Sequence, residues 1–221
     1  MVHFTLFGIP VYIRPSFWVV LAIFGGALSI SSVEDLIYPA LFVIAGFVAI
    51  LSHEMGHALV GRKLGGGQQT IVLELFGGLT SSHGMQLTRG GRALMILAGP
   101  MMTLLLGIIS LGLTWNIVAP VMTSYNLNFW DLAISPFTAA LISPKLYILS
   151  CLIMIGEWWT ILNLLPIYPL DGGQLIAQYI RSPRKVFMTG FITAILIGLL
   201  SFQLFHGYFI PIFMALFAYS N

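Results

Sequence analysis

Long apolar runs, each bounded by prolines, glycines or charges, divide this chain, and clear residue-by-residue alternation interrupts them in two stretches. The first is 2–13, V-H-F-T-L-F-G-I-P-V-Y-I, where alternation around Gly8-Ile9-Pro10 predicts two short strands joined by a turn. Residues 17–30 then form an apolar run that predicts a first span reaching from Ser16 to Ser32, with Arg14 anchoring its start and Glu34 and Asp35 closing it. A second span is predicted over 39–60, followed by Arg62, Lys63 and the helix-breaking Gly65-Gly66-Gly67. The second alternating stretch, 70–83, carries Gly77-Gly78 and reads as a β-hairpin. Extended backbone at membrane depth is tolerated only when it is paired or set against protein or water.

Farther along, Ala93 to about Val118 predicts a third span with Gly99-Pro100 near its start, and Leu146 to Leu165 a fourth. Between them, Ala119 to Pro144 reads as an irregular loop with Trp130 as an interfacial anchor. Val186 to Phe205 and Tyr208 to Tyr219, separated by His206-Gly207, predict a last helical pair. The pattern as a whole predicts an α-helical polytopic membrane protein of about six transmembrane helices with a small membrane-associated β-hairpin or sheet, in a single domain over 1–221.

Composition agrees with this layout. The 221 residues are 58% hydrophobic and only 7% charged, which excludes a water-soluble globular domain and makes the lipid bilayer a partner. A formal charge of +2 gives no reason to expect nucleic acid. The N-terminus lacks a basic stretch followed at once by an apolar one, so the first span is expected to be retained. Cys151 is the single cysteine, which excludes disulfides within the chain and argues against a thiolate metal cluster. Under a six-span layout Arg14, Arg62, Lys63, Arg89, Arg92, Arg181, Arg184 and Lys185 fall on one side and Lys145 on the other, which predicts cytoplasmic termini.

Chemistry enters at residues 51–60, L-S-H-E-M-G-H-A-L-V. His53 and His57 are four apart, so on a helix both imidazoles project from one face and can hold one metal ion, with Glu54 beside them to take a proton from water. Histidine and glutamate are costly in a membrane helix and point to function. The fourth predicted span ends in N-L-L-P-I-Y-P-L-D-G-G, Asn163 to Gly173, where two prolines and two glycines force the backbone out of a helix beside Asp171. An aspartate held on broken backbone can turn toward a metal, and the charge asymmetry places the ends of both spans on the cytoplasmic side.

These two motifs, H-E-M-G-H at His53 to His57 and N-L-L-P-I-Y-P-L-D-G at Asn163 to Gly172, resemble those of the site-2 protease family of intramembrane zinc metalloproteases. The resemblance extends to the hydrophobic layout, the Gly77-Gly78 hairpin and the Gly99-Pro100 helix start. It implies Zn2+ held by His53, His57 and Asp171, with Glu54 as general acid and base. Asn163 would bind substrate backbone or support the oxyanion. It further implies hydrolysis of a peptide bond in a transmembrane substrate, in regulated intramembrane proteolysis, by a minimal form without a PDZ or nucleotide-binding module. The implied location is a multi-pass protein of a prokaryotic cell membrane, with its active site toward the cytoplasm. Where the family often has asparagine shortly after Gly-Pro, this chain has Thr103.

A membrane transporter or channel also places ionisable residues on broken helices at mid-depth, but gives no reason for the His-Glu-His spacing. A catalytically inactive membrane scaffold has no need of an intact zinc and base constellation. Glu157, within a span, is either functional or protonated and hydrogen-bonded in the bundle. His3, His83 and His206 read as surface or interfacial residues, and Trp158-Trp159 as packing. The hairpin either offers its edge to an unwound substrate by strand addition or plugs one side of the bundle.

Overall fold

A computed structural model describes residues 1–75, 77–84, 86–125, 135–180, 182–205, 214–215 and 218. Two strands come first, β1 (Val2–Leu6) and β2 (Ile9–Ile13), joined at Phe7-Gly8, where both residues have positive φ as a two-residue hairpin turn requires. The turn therefore precedes Ile9-Pro10, and Pro10 lies inside β2. It is tolerated because the partner on the other side of β2 pairs only with Val11 to Ile13, so no ladder bond is asked of its missing N–H.

Helix α1 (Pro15–Phe24) starts with proline in its first turn, where no intrahelical donor is needed, and stops at Gly25. The expected first span is thus a helix of 10 residues, too short to cross a bilayer, followed by a single turn over Ala27–Ser29. Gly25-Gly26 explains the difference, since Gly26 has φ +88 and the helix cannot run through it.

Helix α2 (Ile37–Gly65) has 29 residues and carries the His-Glu-His motif. Pro39 falls in its first turn, and Arg62 and Lys63 in its last turn oppose the negative end of the helix dipole. Gly66, at φ +67, turns the chain out while its N–H still bonds the Arg62 carbonyl. The hairpin that follows, β3 (Gln68–Glu74) and β4 (Gly77–His83), joins the N-terminal strands in one sheet of order β1-β2-β3-β4. Pairing is antiparallel except between β2 and β3. β3 is therefore an inner strand, and β1 and β4 are the edges.

Strand alternation turns Ile9, Val11 and Ile13 of β2 and Ile71 and Leu73 of β3 to one face, where they bury against Phe17 and Leu21 of α1 and Ile50, Leu51, Met55 and Ala58 of α2. The sheet thereby grips the last turns of the motif helix. The Arg62 guanidinium adds to that grip by donating to the Phe7 carbonyl at 2.8 Å, while the Arg14 amide, donating to the Leu73 carbonyl at 2.9 Å, ties the start of α1 to β3.

Helix α3 (Arg89–Tyr125) runs beyond Val118, so the expected loop from Ala119 begins as helix, and its residues 126–134, Trp130 among them, lie outside the described residues. A short helix, α4 (Pro136–Ala140), precedes α5 (Pro144–Asn163). α3 lies against α2 at Gly56, where a methyl group would come 2.4 Å from the Ala98 carbonyl oxygen. In a membrane, where lipid is as apolar as leucine, such close backbone approach supplies the packing that holds helices together.

The chain divides into two compact units, Met1–Thr160 and Ile161–Asn221. Within the second, the turn after α5 leads into α6 (Asp171–Ala177) and then α7 (Pro183–Phe205), with Ile167, Ala194, Met214 and Ala218 forming its apolar centre. Of the described residues, four helices are long and apolar enough to cross a membrane: α2, α3, α5 and α7. The expected sixth span, Tyr208 to Tyr219, lies largely outside the described residues.

Candidate metal centre

The motif helix places its two histidines as the four-residue spacing requires. His53 and His57 are 2% and 7% exposed, and their Nε2 atoms are 3.0 Å apart. Tetrahedral zinc with nitrogen bonds near 2.05 Å needs neighbouring ligand atoms about 3.3 Å apart, so the pair is close to the spacing that one ion asks for.

What fixes the rings comes from α3. The Nδ1 of His57 lies 2.8 Å from the Met95 carbonyl oxygen, which can only accept, so Nδ1 carries the proton and Nε2 keeps its lone pair. The Nδ1 of His53 lies 3.5 Å from the Thr103 hydroxyl. That hydroxyl also reaches the Gly99 and Pro100 carbonyls and the Thr160 hydroxyl, at 3.2, 3.0 and 3.1 Å. Thr103, the residue that stands where the family often has asparagine, thus sits in a buried polar knot behind the first histidine. Gly99 lines the other side, since a methyl group there would stand 2.3 Å from His57 Nε2 and 2.9 Å from His53 Nε2. Gly99-Pro100, well inside α3 and not at its start as expected, is therefore a backbone wall against both donor atoms.

Glu54 is one residue on from His53, about 100° around the helix, and so leaves the histidine face and lies under β4. Its side chain is 5% exposed. Thr80 donates its hydroxyl to Glu54 Oε2 at 2.7 Å and also lies 3.1 Å from the Glu54 carbonyl. At Gly78 a methyl group would come 2.2 Å from Glu54 Cγ, so only glycine lets the strand pass over the carboxylate.

In the second unit, Asn163 is the last residue of α5 and Asp171 the first of α6, and both are buried. The proline turn between them folds tightly over the start of α6: methyl groups on Gly172 and Gly173 would fall 2.2 Å from the Leu164 carbonyl oxygen and 2.4 Å from the Ile167 carbonyl carbon. The glycines after Asp171 are there to let the turn close. His3 and His83 are exposed, His3 stacking on Tyr12, while His206 lies outside the described residues. Glu157 is exposed on α5 rather than buried in the bundle, and Trp159 packs over Gly77.

Two imidazoles whose Nε2 atoms converge are donors that zinc takes. A protein-family model described as peptidase family M50 matches residues 41–205. The chain belongs to peptidase family M50. This is the site-2 protease resemblance carried by the two motifs. The M50 chain is 29% identical to the zinc metalloprotease MJ0392 of Methanocaldococcus jannaschii over 98% of its own length and 57% of that protein's. It is 30% identical to Rip3 of Mycobacterium tuberculosis, provisionally named a zinc metalloprotease, over 60% of this chain and 29% of that one. It thus spans about half the length, or less, of the curated relatives it matches. Among solved structures it shares the fold of a site-2 protease from Methanocaldococcus jannaschii, with TM-score 0.62 and 23% identity over 99% of this chain and 92% of that one.

Proposed function

We propose that this M50 protein is an intramembrane zinc endopeptidase whose single catalytic domain, 1–221, hydrolyses a peptide bond within a transmembrane segment of a membrane-protein substrate. The observation that carries this reading is the pairing of two converged Nε2 atoms, their rings held from behind, with a carboxylate one residue away that is held from another side. Zinc held by His53 Nε2, His57 Nε2 and the Asp171 carboxylate would supply a Lewis acid and lower the pKa of an attacking water.

The chain's own residues do the rest. Glu54 takes the proton of the attacking water on its carboxylate and returns it to the leaving amine, a role open to it because it is not one of the proposed ligands and its carboxylate is held in place from β4. Asn163, at the end of α5, offers its amide to the substrate backbone near the scissile carbonyl. A helical substrate hides its peptide bonds in its own hydrogen bonds and must unwind first, and the extended segment then needs new backbone partners. β4 is the sheet edge that passes over Glu54, so an unwound segment added there would run beside the base. An active site toward the cytoplasm of a prokaryotic cell completes the reading, and the product is a cytoplasmic fragment of a substrate already trimmed elsewhere, as in regulated intramembrane proteolysis.

Metal analysis combined with cleavage of a model transmembrane substrate tests it. Glu54→Gln retains close to one zinc per chain and loses cleavage, whereas Asp171→Ala loses both. Full activity in Glu54→Gln would overturn the protease reading.

A further inference from the structure

The geometry points to Thr80 as a positioning residue for the base: its hydroxyl, carried on the edge strand β4, holds the Glu54 carboxylate in its working orientation. The inference rests on the protease reading above. Register explains how a strand residue comes to do this. Gly78 and Thr80 share a face of β4, paired across from Leu73 and Ile71, which are buried on the face toward α2. Gly78 removes the side chain that would collide with Glu54 Cγ, and two residues later Thr80 supplies the donor.

The hydroxyl has one proton and two acceptors within reach, the Glu54 carbonyl at 3.1 Å and Oε2 at 2.7 Å. A backbone carbonyl in mid-helix already accepts from the residue four ahead, and an ionised carboxylate is the stronger acceptor, so the proton belongs to Oε2. With one oxygen fixed in this way the other is left to face the attacking water, and a glutamate with two rotatable bonds beyond Cβ is spared a search among rotamers. Because the donor sits on the sheet edge, the orientation of the base is tied to the strand beside which substrate would lie.

A merely structural role for Thr80, as a tie between β4 and α2 through the Glu54 carbonyl, makes different predictions. The test uses the full chain in detergent, loaded with zinc for cleavage of a fluorogenic apolar peptide and with cobalt for visible absorption. Thr80→Val should lower kcat about 10- to 100-fold, the range for losing a hydrogen bond to a charged group, with KM within about twofold, metal content unchanged and melting temperature near the parent. Thr80→Ser should restore kcat to within about threefold. The cobalt spectrum should change in Thr80→Val and return in Thr80→Ser, and in a Glu54→Gln background Thr80→Val should change neither rate nor spectrum further. Parental kcat and parental spectrum in Thr80→Val would overturn the inference, as would joint loss of metal and melting temperature that serine does not rescue. If Thr80→Val fails to fold, Thr80→Ala against Thr80→Ser decides by the same readings. If the parent cleaves nothing, the protease reading fails by itself, and the cobalt spectra still decide the role of Thr80.

Discussion

Two glycines next to the site make opposite demands on the chemistry, and alanine at each separates them. At Gly99 the added methyl group would stand 2.3 Å from a donor nitrogen that is anchored from behind by the Met95 carbonyl, so the ring has nowhere to go. Gly99→Ala should therefore lose most of its zinc and, with it, all cleavage, as elemental analysis of the purified protein would show. At Gly78 the methyl group meets the flexible Glu54 side chain, which swings aside. Gly78→Ala should keep its zinc and lose about 100-fold or more in rate, the usual contribution of a general base. The convergence of His53 and His57 was legible in the sequence, because four-residue spacing on a helix is a statement about one face. Their anchoring was not: the Met95 partner is a main-chain carbonyl, which any residue would provide, and Thr80 is one threonine among many until a strand register puts it on the face of Gly78.

Between elements, the sheet departs most from what alternation alone predicts. Both hairpins are readable, since Gly8-Ile9-Pro10 and Gly77-Gly78 interrupt alternating residues, although Ile9-Pro10 and Gly77-Gly78 prove to lie within strands, but nothing local says that β2 and β3 pair in parallel across a 29-residue helix. That pairing makes β3 internal, so a proline at Val72 does not probe an open edge. It removes a backbone donor from a strand bonded on both sides and disturbs the core that grips α2. Val72→Pro should cost on the order of 2 kcal/mol or more, seen as a clear drop in melting temperature. The short α1 has a similar lesson. Hydropathy carries the apolar run through Gly25-Gly26, whereas the backbone at Gly26 does not stay helical.

At the scale of the whole molecule, the distribution of Lys and Arg predicts which side each span end faces. Cysteines introduced at Arg62 and Arg184 should react with a membrane-impermeant thiol reagent from the cytoplasmic side only, and one at Asn126 from the other side only. Native Cys151 is buried and should not contribute background labelling. The reverse pattern would send the product to the opposite compartment. A second expectation comes from the length of α2. At about 1.5 Å per residue its 29 residues reach some 44 Å, well over the roughly 30 Å of a hydrocarbon core, and His57 lies about 12 Å short of its basic end. Arg62 and the sheet hold that end of the helix, so the proposed reacting centre would be referenced to the membrane surface and not to its middle. On the proposed protease reading the protein would serve as a depth gauge: in vesicles of longer acyl chains, a substrate anchored by its opposite flank should be cut about three residues away from the position used in thinner ones for every ~4 Å of added thickness, a displacement that mass spectrometry of the products would register.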